Sequence, residues 1–166
     1  KFCIENGFVF AEVKKDLTGA NINLSFPSVG ATENIMMAAS IANGETIIEN
    51  AAREPEIEDL GKCLNKMGAK IIGAGTKQII IEGVKNLSKS EHTIMSDRIV
   101  AGTYVIAAIM LNNEFIIKKI KPNLLSKPLE VLQNMGAKLE IGNDFIKVLP
   151  SNSIKGIALE TEPYPG

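Results

Sequence analysis

The sequence contains no tryptophan, one histidine (His92) and only two cysteines, Cys3 and Cys63. Two cysteines cannot build a disulfide framework. A lone histidine with no cysteine at ligand spacing leaves a structural zinc site without donors, so no metal is expected. Charge of one sign is also missing, since 18 basic and 19 acidic residues leave a net charge of −1. Nucleic-acid binders and membrane-surface binders show a strong basic excess, so neither partner is expected. The longest apolar stretch, Ile99 to Leu111, falls short of the ~20 residues a membrane span needs. No cleavable signal is visible, because the opening Lys1-Phe2-Cys3-Ile4 meets Glu5 at once. What remains is a reduced, soluble, cytoplasmic protein of 166 residues, enough for one ordinary domain or two small ones. The chain opens inside a strand-like segment and stops abruptly at Pro163-Tyr164-Pro165-Gly166, as a piece of a longer protein would.

What is present is an internal repeat. Lys66-Met67-Gly68-Ala69-Lys70 recurs as Asn134-Met135-Gly136-Ala137-Lys138, and Glu45-Thr46-Ile47-Ile48 as Glu114-Phe115-Ile116-Ile117. Ser28 falls opposite Asp97, and Ala38-Ala39 opposite Ala107-Ala108. Each copy reads as a short strand, an apolar helix (28–42; 97–111) and a strand (45–49; 114–118). An amphipathic helix follows (55–67; 126–135), then a closing strand pair (70–73 with 78–82; 138–141 with 145–149). The expected fold is α/β (α+β), a β-α-β-α-β-β unit occurring twice. Residues 1–25 are assigned to closing strands of a preceding unit and a lead-in strand, 26–94 to one unit and 95–155 to the next. Residues 156–166 are assigned to the start of a following unit, with its first strand at 156–161.

Local signals agree with this reading. Ile57, Leu60, Leu64 and Met67 form one helical stripe, with Glu58, Asp59, Lys62 and Lys66 outside it. Pro55 suits a first helical turn, and Gly68 and Gly136 suit the left-handed position past a helix end. The first helix of each copy is instead apolar on every side. Such a helix must be covered all round by protein, which implies helices inside and sheets outside.

A buried apolar helix offers a ligand only its terminus. The first N–H groups there lack intrahelical partners, and the macrodipole adds roughly half a positive charge. Ser28 or Asp97 can cap one or two of these donors. Small residues at Val29, Gly30, Ala31 and Thr32 leave the backbone open to close approach, as in helix starts that bind phosphate without lysine. The same loop also reads as no more than a capped helix in a tight turn, since Ser-x-Gly is a weak motif.

The segments "SVGATEN", "IENAAREPEIEDL" and "MGAKIIGAGT", with "SDRIVAGTY" in the second copy, resemble the UDP-N-acetylglucosamine 1-carboxyvinyltransferase family. These are the cytoplasmic enolpyruvyl transferases that begin peptidoglycan synthesis. The likeness covers most of the chain, is strongest over 19–110 and fades over 118–155. It implies transfer of the enolpyruvyl group of phosphoenolpyruvate to the 3-hydroxyl of UDP-N-acetylglucosamine, with release of phosphate and without a cofactor. It also implies two lobes of such units with helices inside. Ser28, Val29 and Gly30 would belong to the nucleotide-sugar site. Phe26 stands where some members carry lysine, a departure that removes a charged contact to the diphosphate. The family's cysteine loop and its "FPTD" aspartate do not occur in these 166 residues, so no catalytic residue is expected here and the chain alone is expected to be inactive.

Glu54 and Glu56 sit where the resemblance puts a cleft, although acids at a helix start are also favoured by the dipole alone. Asp97 and Arg98 begin the second apolar helix, either as a cap or as the edge of a site. Cys63 reads as a packed thiol, Cys3 as a strand residue, and His92 as a solvated residue of a polar linker. Unpartnered faces of the apolar helices would favour self-association. Two alternatives remain: the sibling enzyme that acts on shikimate 3-phosphate, and a non-catalytic binding module of the same repeat. The unbroken "ENAAREPEIEDL" favours the nucleotide-sugar enzyme, and neutral charge with few aromatics disfavours a single-strand nucleic-acid module.

Overall fold

The computed structural model of the chain describes residues 2–13 and 15–164; expectations touching Lys1, Lys14, Pro165 and Gly166 lie outside the described residues. The chain divides between Thr93 and Ile94 into two compact units.

The first unit opens with an antiparallel hairpin, β1 (Phe2–Glu5) and β2 (Phe8–Ala11). Asn6 and Gly7 form its turn with φ of 52° and 81°. A two-residue hairpin turn of this kind needs left-handed backbone at both positions, which Asn-Gly supplies at little cost. A four-stranded sheet follows, built from β3 (Asn21–Asn23), β4 (Glu45–Glu49), β5 (Lys70–Ile72) and β6 (Gln78–Glu82), in the order β3-β4-β6-β5. The β3–β4 pair is parallel and the others antiparallel. Helix α1 (Val29–Ala39) makes the crossover between the parallel strands, and α2 (Pro55–Lys66) leads from β4 to β5.

Period-two alternation turns Ile48 of β4 and Ile79 and Ile81 of β6 to one face, where all three are fully buried. Met36 of α1 and Ile57 and Leu64 of α2 close over them. Each such aliphatic side chain contributes roughly 1.5–3 kcal/mol on full burial, which fixes both helices to the same face of the sheet. Past α2, Gly68 has φ of 101°, the left-handed turn its position required.

The second unit contains α3 (Arg98–Met110), β7 (Phe115–Lys118), a 3-10 turn (Pro122–Leu125), α4 (Ser126–Asn134), β8 (Lys138–Ile141) and β9 (Phe145–Leu149). Its sheet is antiparallel throughout, in the order β7-β9-β8. Val105, Ile120, Leu125, Leu129, Ile146 and Val148 make its core. Gly136 repeats the positive φ of Gly68, at 105°.

Three expectations need correction. The second copy has no first strand among its described residues, so the β-α-β-α-β-β order is complete only in the first unit. The chain that would supply this strand is held on the first unit instead. Ser88 N–H donates to the Met67 carbonyl at 2.7 Å, Lys66 Nζ to the Glu91 carbonyl at 3.4 Å, and His92 Nε2 lies 3.1 Å from Asp59 Oδ2. His92 is therefore not a solvated linker residue, since its side chain is only 11% exposed. The strand expected at 156–161 is irregular, because no described strand lies beside it to pair with. As expected for apolar helices that lack part of their cover, α1 and α3 are covered on one side only within their own units. Met36 and Val105 are fully buried while Met37, Ile41, Ile99, Tyr104 and Met110 are exposed. A single sheet has one face to offer a helix, and here that face covers only part of each apolar surface. Among the described residues no helix is long and apolar enough to cross a membrane. Among the same residues no group of three His, Cys, Asp or Glu is placed to hold a metal ion.

Candidate functional site

The loop at the start of α1 begins with Pro27, whose fixed φ favours the tight turn in which Ser28 N–H donates to the Phe26 carbonyl at 2.8 Å. Ser28 caps the helix from extended backbone (φ −85°, ψ 122°), and its Oγ accepts the Ala31 N–H at 3.3 Å. The first intrahelical bond runs from Thr32 N–H to the Ser28 carbonyl at 3.0 Å. The amides of Val29 and Gly30 precede it and have no intrahelical acceptor. A Cβ built on Gly30 meets nothing within 4 Å, and the residue is exposed. The chain's own packing does not demand glycine there, so the bare backbone is open to something from outside.

Thr32 behaves differently from the small loop residue the sequence suggested. It is fully buried. Its Oγ1 donates to the Ser28 carbonyl at 2.8 Å and accepts the Ala52 N–H at 3.1 Å. Asn50, held at φ 55°, donates through Nδ2 to the Leu24 carbonyl at 2.9 Å. These bonds tie the segment before α1 to the segment before α2, and so bring residues 28–30 and 50–54 to the same end of the first unit. Only one signal in the sequence could have marked Thr32: a hydroxyl on an apolar helix where the repeat carries Ala101.

Glu54 occupies the cap position of α2 but makes no capping bond, and its Oε2 is buried without a hydrogen-bond partner. A buried carboxylate oxygen left unpaired is costly, and a donor from a ligand would relieve it. Glu56 follows in the first turn, where the helix dipole favours an acid. The second unit holds the other two candidates. Asp97 caps α3, its Oδ1 accepting the Val100 N–H at 2.9 Å. The Arg98 guanidinium lies 5.2 Å from the centre of the Tyr164 ring, within cation–π range. Thus Ser28, Val29, Gly30 and Glu54 share one end of one unit, while Asp97 and Arg98 belong to the other unit. Cys63 is half-buried on α2, and both cysteines are free. A cavity of about 150 Å³ lined by Leu17, Ile22, Ala38 and Ala42 lies along the later turns of α1, away from the loop.

Residues 1–166 match the EPSP synthase (3-phosphoshikimate 1-carboxyvinyltransferase) family. The chain is 50% identical over 153 residues to a UDP-N-acetylglucosamine 1-carboxyvinyltransferase of Prochlorococcus marinus (strain NATL1A), covering 92% of this chain and 33% of that protein. It is 52% identical over 149 residues to UDP-N-acetylglucosamine 1-carboxyvinyltransferase 2 of Caldanaerobacter subterraneus subsp. tengcongensis, covering 89% and 36%. The chain thus spans about a third of the length of these relatives. Among solved structures, the enolpyruvyl transferase NikO from Streptomyces tendae superposes with a TM-score of 0.79 at 21% identity, covering 92% of this chain and 39% of that one. EPSP synthase from Acinetobacter baumannii superposes at 0.62 and 20% identity, covering 89% and 35%. These two likenesses show a shared fold. With the sequence match along its whole length, the chain belongs to the EPSP synthase family of enolpyruvyl transferases.

Proposed function

We propose that this chain is the part of a UDP-N-acetylglucosamine 1-carboxyvinyltransferase that presents the Ser28-Val29-Gly30 loop to the nucleotide sugar. The complete enzyme would transfer the enolpyruvyl group of phosphoenolpyruvate to the sugar 3-hydroxyl and release phosphate, opening peptidoglycan synthesis in the cytoplasm. The observation that carries the reading is the bare loop at the α1 start. Two amides without intrahelical acceptors, one hydroxyl and open space at Gly30 suit an anionic, hydroxyl-rich ligand. Half-identity to relatives bearing that enzyme's name supports the nucleotide sugar over shikimate 3-phosphate as acceptor. The second reading, a 3-phosphoshikimate transferase, draws support from the description of the matching family.

Glu54, with its unpaired buried oxygen, is suited to receive a donor from a ligand or to orient a neighbouring group. Glu56 is assigned a supporting place on the same unit, while Asp97 and Arg98 start α3 of the other unit. In the full-length enzyme, Gly30→Val is expected to weaken UDP-N-acetylglucosamine binding by obstructing the backbone, and a Cβ at this position meets nothing of the chain within 4 Å. Cys63→Ser is expected to leave turnover nearly intact. Calorimetric titration with the nucleotide sugar and steady-state assays check both. Equal kinetic damage from the two changes would undo the assignment, and tighter binding of shikimate 3-phosphate than of the nucleotide sugar would favour the second reading.

A further inference from the structure

A buried hydroxyl joins two loops of the first unit, beside the bond from Asn50 to the Leu24 carbonyl. Thr32 Oγ1 donates to the Ser28 carbonyl at 2.8 Å and accepts the N–H of Ala52, 20 residues away, at 3.1 Å. Both Thr32 and Ala52 have 0% exposure, so bulk solvent reaches neither group in the folded chain. A threonine bonding back to the carbonyl four residues earlier is ordinary in helices. The long-range half of the bridge is not, because it fixes the loop before α2 onto the capping residue of α1.

The second unit supplies the control. Ala101 stands at the position of Thr32, and α3 is formed and capped there without a hydroxyl. The second copy therefore forms its helix start without this hydroxyl. It is present only in the copy whose helix start is bare at Gly30 and whose second loop ends in the unpaired Glu54 carboxylate.

We infer that Thr32 is a positioning residue for the nucleotide-sugar site, its hydroxyl setting the Ser28-Val29-Gly30 loop against the loop that carries Glu54. The inference rests on the reading of residues 28–30 as the ligand loop. Loss of the hydroxyl would leave the Ser28 carbonyl with the Thr32 N–H as its remaining bond and the Ala52 amide buried and unpaired. The loop would then sit in several arrangements where a ligand needs one.

The experiment uses the full-length enzyme with Thr32→Val, Thr32→Ala, Thr32→Ser and Gly30→Val, titrated with UDP-N-acetylglucosamine. The Michaelis constant for phosphoenolpyruvate and the melting temperature are followed alongside. Thr32→Val and Thr32→Ala are expected to raise Kd for the nucleotide sugar about tenfold, the scale of one buried hydrogen bond. Thr32→Ser, which keeps the hydroxyl, should restore Kd to within about twofold, and the constant for phosphoenolpyruvate should move by no more than that. A purely structural role would lower the melting temperature without changing Kd in the folded protein. If Gly30→Val leaves Kd unchanged, the ligand loop itself is misassigned. If Gly30→Val weakens binding but Thr32→Val and Thr32→Ala do not, the Thr32 role alone is overturned. Failure of serine to restore binding, or an equal loss for phosphoenolpyruvate, overturns it as well. Should Thr32→Val fail to fold, Thr32→Ala carries the test, since alanine is the residue the second unit uses. Should alanine also fail while serine folds, the hydroxyl serves folding and the positioning role falls.

Discussion

Helices α1 and α3 occupy the same place in two copies of one repeat, and both start from a side-chain cap, Ser28 in one and Asp97 in the other. Around that shared start the copies diverge. The first has a parallel edge strand before its helix, a buried threonine one turn in, and a glycine open to solvent. The second has no such strand among its described residues, Ala101 in place of the threonine, and Val100 and Ile99 exposed beside its cap. The fold depends on features the copies share: the stripe of the second helix, the left-handed glycine after it, and the alternating strands. The candidate site depends on features they do not share. A repeat can thus keep its architecture while one copy specialises a helix terminus, because packing constrains the sheet-facing side of the helix and leaves Gly30 in its first turn open.

The sharpest way to break this comparison is to ask whether the two units suffice for chemistry. The 166 residues alone are expected to release no phosphate from phosphoenolpyruvate and UDP-N-acetylglucosamine, since proton donation to the vinyl carbon and stabilisation of a cationic centre are proposed to come from other parts of the full-length enzyme. Turnover by the purified chain that is lost in Ser28→Ala would reveal a catalytic set within the first unit. The cores come next. Ile48 and Ile117 are repeat equivalents, the first fully buried and the second half-buried. Ile48→Ala is expected to cost roughly 2–5 kcal/mol, and Ile117→Ala distinctly less. Denaturant unfolding of the full-length protein measures both, and equal costs would show that the copies pack alike.

The caps give a smaller effect. Ser28→Ala and Asp97→Ala should each cost about 1 kcal/mol in unfolding free energy, but only Ser28→Ala should also weaken nucleotide-sugar binding. A matching loss of affinity in Asp97→Ala would bring the second unit into the ligand site on equal terms. The surface pairs should matter least. Lys62 with Glu58 at 2.7 Å and Lys127 with Glu130 at 3.4 Å are exposed on both sides, so replacing either lysine by methionine should leave the melting temperature unmoved. The hydrogen bond and charge of Glu58 hold the Lys62 pKa above its ordinary value. Any stability from that pair is therefore complete below the ordinary lysine range and lost only as pH rises through the raised value, leaving no pH dependence near neutrality. A change of stability between pH 6 and 8 that disappears in Lys62→Met would contradict this.

Much of the fold was legible because its causes are local. The 57-60-64-67 stripe, Pro55 at a first turn, Gly68 and Gly136 past helix ends, and the strands 45–49 and 145–149 follow from side-chain periodicity and backbone sterics within a few residues. The caps at Ser28 and Asp97 belong to the same class, as does the bare Gly30. The sequence by itself thus determined the helices, the inner strands and their order along the chain. The tertiary structure alone decided whether a strand finds a partner, as 21–23 does and 156–161 does not. It also decided that His92 meets Asp59, that Thr32 bridges Ser28 to Ala52, that Glu54 keeps an unpaired oxygen, and that α1 and α3 bury only one side. Each of these depends on segments 20 or more residues apart arriving at one place, or failing to, and no pattern read along the chain specifies such a meeting.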